Sequence, residues 1–207
     1  MDTLTDNRSV IEIVFGKRSR LEVLRCLYEA SNEISGREIA RRTGLSHQQA
    51  HQSLKELVSL GLVEYKIAAP AHLFYLNKNH WVVSEILQVV FDKEKSWLKN
   101  LLDDVTDGLP KQVVSLILFG SAAKGRLRAG SDIDLLALVG REKDKKAVLD
   151  YLVTASVKLG PKYHYPVAPL VLAVSEFREQ YAQGSAFARN ILKTASVVKG
   201  KMLTQIL

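Results

Sequence analysis

The chain has a single cysteine among its 207 residues, so an internal disulfide is excluded. Cys26 stands among Leu24, Leu27 and Tyr28 and reads as a small buried residue. No apolar run reaches the roughly 18 residues that a membrane-spanning helix needs, so no membrane partner is expected. The N-terminus, MDTLTDNRSV, lacks a basic segment followed by an apolar one, so no secretory leader is expected. Together these absences read as a cytoplasmic protein. Composition is not extreme: 47% apolar and 25% charged residues are ordinary for a soluble chain. The length suits one larger domain or two small ones.

Charge is unevenly placed. The net charge of +7 divides into +2 over residues 1–79, −3 over 80–109 and +8 over 110–207. A basic field at one end favours a polyanionic partner such as a nucleotide or nucleic acid.

Residues 11–27 carry apolar side chains at helical spacing, with Ile13, Val14, Leu21, Val23, Leu24 and Leu27 turned inward. A second helix opens at Ser35 and stops at Gly44. A third runs from Ser46 to Leu60, where Ser46 and Gln49 fit a capping box. Its inward stripe is Ala50, Leu54, Leu57 and Val58. Its outward face is His47, Gln48, His51, Gln52 and Lys55. LVEYKI and HLFYLN then read as two strands of a hairpin. His47 and His51 are four apart, but HQQAH lacks the Glu of the H-E-x-x-H zinc motif.

Helix, helix, turn, helix, hairpin is the order of a winged helix-turn-helix. SGREIARRTGLSHQQAHQSLKELVSLGLVEY resembles the winged-helix domains of small bacterial and archaeal transcription regulators. The resemblance implies double-stranded DNA as a partner, with Ser46–Leu60 as the recognition helix. Ser46, His47, Gln48, His51 and Gln52 would face the bases, and a glutamine can pair bidentately with adenine. Arg37, Arg41 and Arg42 would hold phosphates, which position without reading sequence.

Residues 79–109 read as helical and carry more apolar side chains than one stripe accounts for. They must be covered on more than one side, between domains or in a homodimer. The expected organisation is a DNA-binding domain at 1–79, a helical linker at 80–109 and a third unit at 110–207. The overall class is α+β, with a small α/β unit on a mixed sheet at the C-terminus.

In that unit, strands are expected at 113–119, 132–139, 167–174 and 196–199. Helices are expected at 148–159, 176–182 and 187–195. Between the first two strands lies LFGSAAKGRLRAGSDIDLLALV. Asp132 and Asp134 are two apart, so they share one face of a strand while Ile133 and Leu135 take the other. Adjacent carboxylates repel, unless a divalent cation lies between them. Mg²⁺ is held by one or two carboxylates plus substrate phosphates. The Gly120-Ser121 turn allows close backbone approach to phosphate, and Lys124, Arg126 and Arg128 add positive charge. The stretch is not a P-loop, because Arg126-Leu127 stands where Lys-Ser/Thr is required.

Gly-Ser, ten residues, Asp-Ile-Asp between two strands resembles the DNA polymerase β-like nucleotidyltransferase superfamily in its minimal form. The resemblance implies that Gly120, Ser121, Lys124 and Ser131 bind a nucleoside triphosphate, with ATP the first to test. It implies that Asp132 and Asp134 bind Mg²⁺, with room for a two-metal site, and are the catalytic pair. The reaction would transfer a nucleoside monophosphate to an acceptor hydroxyl and release pyrophosphate. One departure stands out. The family carries a third carboxylate on a later strand, and Val167–Leu172 contains no acid. Glu176 lies just beyond it, and Asp150 is expected on a helix. Three functions stay open: a nucleotidyltransferase, a nucleotide-sensing transcriptional regulator without turnover, and an antitoxin-like modifier of a partner protein that serves as acceptor.

Overall fold

The computed structural model describes residues 10–128 and 130–207. Residues 1–9, on which the expectation about a leader rests, lie outside the described residues, as does the Ile13 side chain. Among the described residues no helix is long and apolar enough to cross a membrane. The chain divides into two compact units, Met1–Ser96 and Trp97–Leu207.

The first unit contains α1 (Val10–Phe15), α2 (Arg18–Glu29), β1 (Ile34–Ser35), α3 (Gly36–Thr43), α4 (His47–Ser59), β2 (Val63–Ala68) and β3 (Ala71–Leu76). The single helix expected over 11–27 is two. The amide of Gly16 closes α1 on the Glu12 carbonyl at 2.9 Å, and Lys17 then takes an extended backbone that starts α2. A β-carbon at Gly16 would fall 2.3 Å from the Glu12 carbonyl oxygen, so only glycine allows this break. Helix α3 begins where Ser35 Oγ accepts from the Glu38 amide and ends on Gly44 at φ +70°. Helix α4 has the full capping box, with Ser46 and Gln49 satisfying each other's backbone amides. The three strands lie in the order β1-β3-β2. Leu24, Ile39 and Leu57 are fully buried between the helices and the hairpin.

A π-helical stretch, Val82–Leu87, leads into α5 (Gln88–Thr106). The apolar surplus here has a simple cause. Val82, Val83, Leu87 and Phe91 belong to the first unit's core, and Leu101 and Val105 belong to the second's.

The second unit adds β4 (Val113–Leu118), a single turn α6 (Gly120–Ala123), β5 (Ile133–Val139), α7 (Lys145–Tyr163), β6 (Val167–Ala173), α8 (Val174–Ala182), α9 (Ala186–Thr194), β7 (Ser196–Gly200) and α10 (Leu203–Ile206). Its sheet has the order β6-β5-β4-β7, parallel between β5 and β6 and antiparallel elsewhere. This mixed sheet bears out the expected α+β class. One face packs on α5 and α7, through Ile133, Leu135, Ala137, Val148 and Leu152. The other packs on α8, α9 and α10, through Leu136, Leu138, Phe177, Ile191 and Ile206. Helix α7 does not stop at Gly160-Pro161, as the sequence suggests. It runs to Tyr163, and the His164 amide closes its last turn on the Gly160 carbonyl at 2.8 Å. The proline costs one donor there without ending the helix.

Candidate functional site

Strand alternation sorts the residues around Asp-Ile-Asp. Ile133 and Leu135 face α7, so Asp134 shares the opposite face with Leu136 and Leu138. Asp134 is half-buried, while Asp132, one step before β5, is exposed. Antiparallel pairing of β4 with β5 brings the end of β4 to the same place, and the Phe119 amide donates to the Asp134 carbonyl at 3.0 Å. The next residue, Gly120, turns with φ +71°. A β-carbon built on it would fall 1.9 Å from Asp134 Oδ2. Glycine is therefore required twice, by its backbone angle and by the carboxylate against it. The Phe187 ring of α9 meets Phe119 edge-on at 5.8 Å and holds the start of that helix beside the turn.

The loop that follows is folded on itself. The Ser121 carbonyl accepts from the amides of Lys124 at 3.2 Å and Arg126 at 2.9 Å. Ser131 Oγ accepts from the Arg128 amide at 3.2 Å, and the Ser131 amide returns a bond to the Arg128 carbonyl. The side chains of Lys124, Arg126 and Arg128 are exposed, and Ser121 and Ser131 are half-buried. Gly120, Ser121, Lys124, Ser131, Asp132 and Asp134 thus all belong to one β-turn-β segment of the second unit.

Burial, and then the charge of Asp132, push the Asp134 carboxyl above the usual carboxylate range. Among the described residues, no donor side chain or amide reaches either carboxylate. That is the chemistry of a cation site, with two oxygen-bearing side chains and no protein group to neutralise them. Among the described residues no cluster of three or more His, Cys, Asp or Glu could hold a metal. A divalent ion held here would complete its shell with phosphate oxygens and water.

The resemblance implies a third carboxylate on the strand beside β5. In the parallel pairing of β5 with β6, Asp134 stands beside Ala168. Neither nearby acid replaces it. Glu176 accepts two bonds from Lys145 Nζ, at 2.8 and 2.9 Å, and one from the Ala173 amide at 2.7 Å. Lys145 first, and then that amide, hold its carboxyl below the usual range. Asp150 is exposed on α7, which covers the other face of the sheet.

In the first unit, His47, Gln48, His51 and Gln52 line the exposed face of α4, and Arg37, Arg41 and Arg42 are exposed on α3. Several have partners that spacing alone did not reveal. Arg41 and Arg42 both pair with Glu38, at 2.6 Å each, and these two contacts bring the Glu38 carboxyl down to about 2. The Gln52 amide donates to Glu56 at 3.0 Å, and Glu56 also binds Lys17 and Arg20. The Ser46 hydroxyl is engaged in its cap.

Residues 17–72 match the family model described as MarR family, and residues 98–192 match the one described as nucleotidyltransferase domain. The chain joins a MarR-type winged helix to a nucleotidyltransferase domain. The winged helix is a DNA-binding domain by type, and the nucleotidyltransferase domain implies a nucleotide substrate and a divalent metal in general. No curated protein matches the chain. Among solved structures, a homodimeric winged helix-turn-helix DNA-binding domain from Mycobacterium bovis is 21% identical, covers 44% of this chain and 94% of its own, and has a TM-score of 0.34. A zinc-responsive MarR family member from Lactococcus lactis is 18% identical, over 52% of this chain and 72% of its own, with a TM-score of 0.35. A toxin-antitoxin structure with AMP-PNP is 15% identical, over 52% of this chain and 77% of its own, with a TM-score of 0.36. These likenesses bear on neither the activity nor the partners of this chain.

Proposed function

We propose that this protein is a DNA-binding protein whose nucleotidyltransferase domain binds a Mg²⁺–nucleoside triphosphate. DNA binding is assigned to residues 1–79, with 80–109 joining them to a nucleotide-binding unit at 110–207. The observation that carries the nucleotide reading is the close fit of Gly120 against Asp134. It puts a bare backbone turn and a carboxylate without a protein donor in one place. Asp132 and Asp134 would hold the metal, which neutralises triphosphate charge and draws electrons from the α-phosphorus. Ser121, Ser131 and the Gly120 turn would position the phosphates, and Lys124 would add charge. ATP is the nucleotide to test first.

The reaction housed by this type of site forms a bond from an acceptor hydroxyl oxygen to the α-phosphorus. It breaks the bond from that phosphorus to the pyrophosphate oxygen. The hydroxyl proton needs a base, and neither Glu176 nor Asp150 can supply one at the site. Ala168 beside Asp134 therefore favours a second reading, in which nucleotide is bound and sensed without turnover. Transcription regulation would be the output of that state. Incubation with α-³²P-labelled triphosphates and cell extract separates the two. Label on any acceptor, lost with Asp132→Asn, establishes transfer and identifies the acceptor, including a partner protein. Mg²⁺-dependent binding without label establishes the sensor. Absence of both overturns the nucleotide reading.

A further inference from the structure

Helix α7 buries one side against the sheet and leaves an aliphatic ridge on the other. Leu149, Val153 and Val157 are 39%, 47% and 74% exposed. They are four residues apart, so their side chains form one continuous row. Single exposed aliphatics are commonplace, but a row of three along the middle of a solvated helix is an interaction surface without its partner. The adjoining row is polar: Lys146, Asp150, Thr154 and Lys158, all exposed. Among the described residues, neither the Asp150 carboxylate nor the Lys158 ammonium has a hydrogen bond or ion pair, and Lys158 feels only the through-space attraction of Asp104, which Lys162 already holds.

The two rows select a partner by their own symmetry. Lay a second α7 antiparallel on the first, with a two-fold axis between residues 153 and 154. Leu149 then meets Val157 of the second copy, and Val153 meets Val153. In the same register Asp150 meets Lys158, Thr154 meets Thr154, and Lys158 meets Asp150. One arrangement pairs apolar with apolar and acid with base, with Leu149–Val157 and Asp150–Lys158 each made twice and the two self-pairs once at the axis, as an isologous interface requires. At the end of the polar row Lys146 would face Lys162, whose ammonium is already held by Asp104 at 2.6 Å.

We propose that α7 is a self-association surface through which two copies of this chain pair antiparallel. The candidate nucleotide site lies on the other face of the sheet, so pairing leaves both sites open. The dimer would also carry two winged helices, the number needed for a two-half-site DNA target.

Sedimentation equilibrium of the full chain tests this. Wild type sediments as a dimer at micromolar concentration. Val153→Asp and Val157→Asp sediment as monomers whose far-ultraviolet circular dichroism matches wild type, because both positions are exposed in the single chain, and their melting falls to that of dilute wild type. Asp150→Lys weakens association about tenfold, and Asp150→Lys with Lys158→Asp restores it. A monomeric wild type overturns the proposal, as does a dimer that survives Val153→Asp, which would pair elsewhere. A double charge reversal that fails to restore association overturns the antiparallel register.

Discussion

Gly120 lies so close to Asp134 that a β-carbon on the glycine would stand 1.9 Å from Oδ2 and 2.8 Å from the carboxylate carbon. Two costs follow for Gly120→Ala. The residue is held at φ +71°, a left-handed angle that costs alanine about 1–2 kcal/mol, and the carboxylate must move. We expect a loss of about 1–3 kcal/mol in urea unfolding. The loss is smaller when Asp134 is already alanine, since part of it is the contact. Equal losses in both backgrounds would show that only the backbone angle matters.

Asp134 also sets a pH dependence. Its folded pKa is raised above the unfolded value, by burial and then by Asp132. A group of this kind contributes stability that is fully present below the unfolded pKa. That stability is lost as pH rises through the folded pKa. In metal-free protein at neutral pH, the ionised carboxylate therefore opposes folding. Asp134→Asn should raise the melting temperature at pH 7 and have little effect below about pH 3.9, the ordinary Asp value. Mg²⁺ should raise the wild-type melting temperature and leave the variant unchanged. Scanning calorimetry at the two pH values checks both signs.

Ala168 gives a gain-of-function test. Neighbouring strands lie about 4.8 Å apart, so Ala168→Asp would put a third carboxylate beside Asp134. We expect tighter Mn²⁺ binding by paramagnetic resonance and lower stability without metal. Nucleotidyl transfer should rise in the same variant. Unchanged Mn²⁺ affinity would show that position 168 does not face the ion.

On the winged helix, Gln48 and Gln52 are not equivalent. Gln52 already donates to Glu56, whereas among the described residues Gln48 has no hydrogen-bond partner. Gln48→Ala should cost about 1–3 kcal/mol of base discrimination at one DNA position, and Gln52→Ala less. Arg37→Ala should weaken binding to all sequences alike and lower the salt slope by about 1. Glu38→Gln, which releases Arg41 and Arg42, should strengthen non-specific binding. Fluorescence anisotropy across a salt series reads all four variants.

How much of this is legible in the sequence depends on the interaction involved. The capping box at Ser46, the inward stripe of α4 and the shared face of Asp132 and Asp134 follow from local spacing, which the fold preserves. The break at Gly16 was hidden because its apolar residues keep helical spacing on both sides. The run of α7 past Pro161 was hidden because a proline near a helix end costs only one donor. Ala168 became identifiable only through the pairing of β5 with β6, a relation between residues 34 positions apart. The partners of Arg41, Arg42 and Gln52 escape a reading of the sequence for another reason. Outward side chains at i, i+3 and i+4 compete for one another before any ligand arrives.

The most direct measurement is titration calorimetry of the full chain with ATP, with and without Mg²⁺, for wild type and Asp134→Asn. The expected result is wild-type binding that needs Mg²⁺, with the Mg²⁺-dependent part lost in the variant and DNA binding intact. Equal Mg²⁺-dependent affinity in both proteins would contradict the assignment of Asp134, and with it the nucleotide site.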